Sequence, residues 1–332
     1  MTAIRTTGTL LVLLLAAAGG HAAAVHDDLG HSVALAQPAQ RIVTLAPHAT
    51  ELVVAAGAGA RLAGIAAGGA NTGSLSALPR IGGPGALDRE ALLALRPDLV
   101  IAWHTGNRAT DLDWIERSGM PLYRSEPRSL RDVALTIRNI GELSGNPRQA
   151  GAAARAFEQQ LNTACAELPA QAAYVMVWER PAMSVGGRHW INDVLRAAGY
   201  RNAFAHLDRG VFKVAPEAAY RYREMPVISL VRGGDRAGDD QLADLLSRPG
   251  PRLGEAVQQL CRRRLRLDAP VARWLAPRLA ADAPVRRPMS HRLRAGSAAV
   301  QIKDIVATTA TLDPAHRRGS TAPLTAILEE PH

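Results

Sequence analysis

Two runs of strand and helix signals, separated by one long helical stretch, constrain this chain more than any other feature. The first run begins with Arg41-Ile42-Val43-Thr44-Leu45-Ala46-Pro47, a short apolar segment ended by proline that reads as a buried strand. A helix follows through Ala56, with Thr50 or His48 as its cap and Gly57 and Gly59 as its stop. Helix signals then recur at 88–95, 109–118 and 129–143, and strand signals at 97–103 and 121–123. Asn146 and Pro147 open a segment that runs to about Leu168 without another proline, which predicts one helix of about 22 residues, roughly 33 Å long. The alternation then resumes with strands at 173–178 and 226–231 and a helix at 191–198.

Such alternation implies parallel sheets covered by helices. The expected fold class is α/β: two Rossmann-like lobes joined by one long connecting helix, with a ligand cleft between the lobes. The expected boundaries are a signal peptide over 1–24, an N-terminal lobe over 40–145, the connecting helix over 146–168, a C-terminal lobe over 169–261, and a basic, disordered tail over 262–332. Arg5 followed by the apolar run Leu10 to Leu15 and the small residues Ala22 to Ala24 has the order of a cleaved secretory signal, which places the mature protein in the periplasm.

The net charge of +9 invites a nucleic-acid reading, and its distribution argues against one. Thirteen Lys and Arg against six Asp and Glu after Cys261 put +7 of that charge in the tail. Aromatic residues make up 4% of the chain, and Lys213 and Lys303 are its only lysines, so stacking platforms and phosphate grooves are poorly supplied. Cys165 and Cys261 are compatible with a disulfide or with two free thiols.

Signatures of catalysis are missing. Neither lysine sits in a P-loop, the glycines at 57, 59 and 64 follow a helix rather than a strand, and no Gly-x-Ser-x-Gly, His-Glu-x-x-His or Cys-x-x-Cys occurs. His48, His104, His189 and His206 read as capping or surface residues rather than metal ligands. The expectation is a non-enzymatic monomer without catalytic cofactor, metal or nucleic-acid partner. A secreted hydrolase with a triad assembled in space is the distant alternative.

The segments Arg41 to Glu51 and Leu95 to Trp103, the latter followed by Gly106-Asn107, closely resemble periplasmic cobalamin-binding proteins of ABC importers, in the helical-backbone (class III) group of solute-binding proteins. The resemblance spans roughly residues 40–261. It implies capture of cobalamin or a related corrinoid and delivery to the permease dimer in the inner membrane, with haem or a ferric siderophore as the alternative ligand of the same fold. It also implies roles for particular residues. Pro47, Trp103, Trp178, Met183, Asp244 and Arg248 become ligand-binding candidates, with Asp244 and Arg248 facing the amide side chains of the corrin. Glu90 and Glu217 become the carboxylates, one per lobe, that dock onto permease arginines.

The chain departs from that pattern in three places. Gly69-Ala70-Asn71-Thr72 replaces a Ser-Asp-Tyr-Pro-like segment, an aromatic is replaced near Pro84, and the stretch from Gly234 to Asp244 is shorter by what corresponds to a helix and a strand.

Overall fold

The computed structural model describes residues 23–67, 73–82, 86–222, 224–231 and 240–267. It opens on an antiparallel hairpin of β1 (Ala23–His26) and β2 (Ser32–Leu35), ahead of the first strand read from the sequence. Its turn is signalled locally: the Asp27 carboxylate accepts from the Leu29 and His31 backbone N–H groups, and Gly30 takes φ +88°. The hairpin is anchored by Asp28, whose carboxylate accepts from Tyr123 Oη, Thr136 Oγ1 and the Glu126 N–H.

The first lobe follows. Strands β3 (Ile42–Thr44), β4 (Leu62–Ile65), β5 (Leu99–Trp103) and β6 (Leu122–Ser125) form a parallel sheet in the order β4-β3-β5-β6. Helix α1 (Pro47–Ala55) links β3 to β4, α2 (Arg89–Leu95) precedes β5, and α3 (Ala109–Arg117) links β5 to β6. Since β3 and β5 are neighbours whose following helices lead toward opposite edges of the sheet, the topological switch lies at their carboxyl ends. Asp88 caps α2 by accepting from Ala91 N–H, as its position before the helical run predicts.

Two helices lead out of this lobe. Ser129 caps α4 (Leu130–Leu143) in a reciprocal capping box with Asp132, and Val133, Ile137 and Ile140 enter the core. Each such side chain contributes about 1.5–3 kcal/mol by leaving water. Helix α5 (Pro147–Leu161) is the expected connecting element, at 15 residues and about 22 Å instead of 22 residues. It stops because Asn162 and Thr163 are weak helix formers and the Thr163 hydroxyl donates to Ala197 O. Its two ends hold different lobes. Asn146 Nδ2 donates to Gly57 O at the start, and Gln160 O accepts from Gln258 Nε2 at the end.

The second lobe is built on β7 (Gln171–Met176), β8 (Met183–Val185), α6 (Ile191–Ala197), β9 (Tyr200–Asn202), β10 (Val211–Lys213), α7 (Pro216–Arg221), β11 (Val227–Ser229), α8 (Asp240–Leu245) and α9 (Leu253–Leu267). Its parallel sheet has three strands among the described residues, in the order β11-β7-β9, against four in the first lobe. The stretch before Asp244 that the sequence reads as shortened lies largely outside the described residues, at 232–239. A side hairpin pairs β8 with β10.

Cys165 and Cys261 form a disulfide, which resolves the alternative left open by the sequence. It ties a short 3-10 helix (Ala164–Glu167) to α9 across a separation of 96 residues. The helix α9 passes the expected boundary at 261 and continues to Leu267; the rest of the expected tail and residues 1–22 of the expected signal lie outside the described residues. Leu253, Ala256, Val257 and Leu260 of α9 share one apolar core with Leu52 of α1 and Ile137 of α4, so the lobes are packed together.

Candidate ligand-binding site

At the switch point of the first lobe, β5 ends in Trp103 and β3 runs into Pro47 and His48. Two neighbours fix Trp103. Gly106 lies under the indole so closely that a Cβ there would stand 2.1 Å from the ring, and Asn107 Oδ1 accepts from the Trp103 N–H at 2.8 Å. Asn107 Nδ2 donates in turn to Leu45 O at 3.0 Å, joining the ends of β3 and β5. The Gly106-Asn107 pair therefore has a local role: the glycine makes room for the aromatic and the amide clips the strand ends. Trp103 itself is half-buried, and Pro47 is partly exposed as the first residue of α1.

His48 corrects the sequence reading. The helix starts at Pro47 with Ala46 as a cap that offers no side chain, so His48 and Thr50 lie inside it rather than capping it. Thr50 Oγ1 shares a hydrogen bond with Thr44 Oγ1. His48 is 1% exposed, meets Trp103 edge to face at 5.2 Å between ring centroids, and shares a 3.2 Å hydrogen bond between Nε2 and Ser125 Oγ. Its Nδ1 has no hydrogen-bond partner. Burial, with the nearby Arg248 charge adding to it, pushes the imidazole down to about 3, so it is neutral. His189 lies just before the Trp190 cap of α6 and accepts through Nδ1 from Ile191 N–H, and burial lowers it to about 4. His104 and His206 are exposed.

Asp244 and Arg248 meet as the spacing of four predicts, at 2.7 Å between Oδ1 and Nη2. Sequence reasoning missed their company. Arg252 Nη1 holds the second Asp244 oxygen at 2.7 Å, and both guanidiniums stand beside Glu51 of α1, at 3.6 Å from Arg248 Nε and 3.8 Å from Arg252 Nη1. The four side chains are formally neutral together, and they cross from the first lobe to the second. Burial pushes the Glu51 carboxyl up, while Arg248 and Arg252 pull it back less strongly. The Glu51 signal was present in the Thr50-Glu51 pair, but nothing local tells a helical glutamate on the surface from one under the opposite lobe.

Trp178 and Met183 form a separate group at the carboxyl end of β7. They are antiparallel bridge partners across a tight loop, with Met183 N–H donating to Trp178 O at 2.9 Å. Trp178 is 56% exposed, and its indole N–H donates to Arg180 O, which holds the ring outward. Glu90 and Glu217 each occupy the exposed first turn of a short helix, α2 and α7, one in each lobe. Gly69 to Thr72 and Pro84 lie outside the described residues. Among the described residues no group of three or more His, Cys, Asp or Glu could hold a metal ion, and no helix is long and apolar enough to cross a membrane.

Two α/β lobes bridged by a helix, with aromatic groups at the carboxyl ends of both sheets, define a bilobal solute-binding architecture. The chain belongs to the periplasmic binding protein family, which matches residues 42–261. It is similar to the vitamin B12-binding proteins of Vibrio vulnificus (strain CMCP6), 30% identical over 55% of this chain and 75% of that one, and of Yersinia pestis (strain Pestoides F), 28% identical over 60% and 77%. A 32% identical match to the protein of that name from Vibrio parahaemolyticus spans 39% of this chain and 48% of that one. Among solved structures, the periplasmic vitamin B12-binding protein of Vibrio cholerae superposes with a TM-score of 0.59 at 29% identity, covering 68% of this chain and 96% of that one.

Proposed function

We propose that this protein is the periplasmic solute-binding component of an ABC importer, and that it captures cobalamin or a related corrinoid without making or breaking a bond. The carrying observation is that helix α1 meets Trp103 through His48 and Arg248 through Glu51, in a chain similar to proteins named for vitamin B12. A half-buried indole clamped against backbone offers a flat apolar face to a macrocycle. The Asp244 and Arg248 pair offers an acceptor and a planar donor to side-chain amides, which need both. The formal neutrality of the Glu51, Asp244, Arg248 and Arg252 cluster favours an uncharged amide-bearing ligand over haem, whose two carboxylates call for unpaired cations.

Pro47, Trp178 and Met183 complete the proposed apolar contacts, and Glu90 and Glu217 are the proposed docking carboxylates for a permease dimer, with the protein acting as a monomer. Support for docking comes from their exposure and their distribution over both lobes. The test is to mix purified protein at micromolar concentration with cyanocobalamin, haem or a ferric siderophore and to follow the visible chromophore through gel filtration. Cyanocobalamin is expected to travel with the protein, and its failure to do so sinks the ligand assignment.

A further inference from the structure

We propose that Glu51 is a positioning residue for the ligand site: from the first lobe, it holds Arg248 of the second lobe in the place from which that guanidinium meets the ligand. This rests on the reading of Arg248 as a ligand group.

Three observations carry it. Glu51 and His48 are three residues apart on α1 and therefore share a helix face. The turn that carries Arg248 rests on that face: a Cβ at Gly250 would stand 2.9 Å from Glu51 Oε2 and 3.7 Å from His48 Cβ, so glycine permits the approach. The same α1 face thus touches a candidate ligand group from each lobe, with His48 against Trp103 and Glu51 beside Arg248.

Second, the hydrogen bonding around Arg248 is incomplete. Its Nη2 is engaged by Asp244, whereas Nε has no hydrogen-bond partner and only faces Glu51 at 3.6 Å; Glu51 Oε2 is likewise buried without a partner. Buried polar atoms left in this condition are costly, and small movements that pair them are favoured. Third, Arg252 allows Arg248 to be shared. It stands beside both Asp244 and Glu51, so neither carboxylate loses its last cation when Arg248 turns toward a ligand amide.

Removing the Glu51 charge should therefore weaken ligand binding through Arg248 and through nothing else, which a double-mutant cycle reads directly. Cyanocobalamin affinity is measured by tryptophan quenching for the wild type, Glu51→Gln, Arg248→Met and the double variant, with circular dichroism to check folding. The expected result is a loss of about tenfold for Glu51→Gln alone and less than twofold for the same change in the Arg248→Met background, since tenfold corresponds to about 1.4 kcal/mol of coupling. Equal losses in both backgrounds, or no loss in either, overturn the proposal while leaving the ligand assignment standing. A wild-type protein that takes up no cyanocobalamin overturns both. Should Glu51→Gln fold poorly, Gly250→Ala intrudes on the same seat from the opposite lobe, and its effect on affinity is expected to vanish in the Arg248→Met background; equal losses there overturn the proposal as well.

Discussion

The indole of Trp103 lies across Gly106, three residues further on, at a distance that leaves no room for even a methyl group between them. Gly106→Ala should tilt or expel the ring without touching the sheet beneath it. Cyanocobalamin affinity is expected to fall about tenfold with about 1 kcal/mol of lost stability, because the residue itself is exposed. Unchanged affinity together with an unchanged tryptophan emission spectrum would show that the ring does not depend on the glycine.

The disulfide between Cys165 and Cys261 should be a main support of the second lobe. It closes a loop with a sequence separation of 96, for which chain entropy allows up to about 4.7 kcal/mol and typical measured values are about 2–4 kcal/mol. Urea unfolding with and without a reductant is expected to differ by that amount, and superimposable curves would contradict it.

His48 makes stability depend on pH in a defined direction. Its folded-state value of about 3 lies below the ordinary 6.5, so the unfolded chain binds the proton more readily, and stability present above pH 6.5 is lost as pH falls toward 3. At pH 5 the loss is on the order of 2 kcal/mol from this residue, and His189 adds to it in the same direction. The gap between urea midpoints at pH 7 and pH 5 should shrink in the His48→Gln variant, with the His189 contribution left in place. An undiminished pH dependence in that variant would place the effect elsewhere.

The elements legible in the sequence were those whose cause is local. β3 and β5 are continuous apolar runs, α4 carries its own capping box, and α2 begins at its Asp cap, so strand and helix signals fell close to the observed ranges. Two of the ligand candidates, Asp244 and Arg248, meet across the turn that follows α8, a local contact that their short separation in sequence allows. What was hidden depends on distant partners. The end of α5 at Leu161 is set by Thr163 reaching Ala197, and β9, three residues long, exists through its pairing with β7. His48 resembles a capping residue until Trp103 and Ser125 close over it, and Glu51 resembles a surface acid until the turn around Gly250 arrives.

The position of β1 bears on where the proposed signal peptide is cleaved. Ala23 and Ala24 belong to β1, paired with Leu35 and Ala34, so cleavage after Ala24 would remove half of that strand. Cleavage after Ala22 keeps it whole and retains a small residue at the cleavage position. Intact-mass measurement of exported protein is expected to show Ala23 as the first residue; a first residue at Val25 would mean that the hairpin forms without its two outer pairs.

Charge reversal at the proposed docking carboxylates should separate capture from delivery. Glu90→Arg and Glu217→Arg each remove an exposed acid from a helix first turn, at a cost of about 0.3–1 kcal/mol in helix-dipole stabilisation. Permease-dependent uptake of labelled cobalamin is expected to fall in each and to vanish in the double variant. Uptake at the wild-type rate in the double variant would assign docking to other residues.

The proposed ligand is a neutral, amide-bearing corrinoid placed between Trp103 and the Asp244–Arg248 pair. Equilibrium dialysis of labelled cyanocobalamin against the wild type and the Trp103→Ala and Arg248→Met variants, with haem and a ferric siderophore as competitors, tests it most directly. Saturable one-to-one binding is expected, weakened about tenfold or more by each substitution and displaced by neither competitor at equal concentration. Absence of saturable binding, or displacement by haem at equal concentration, would contradict it.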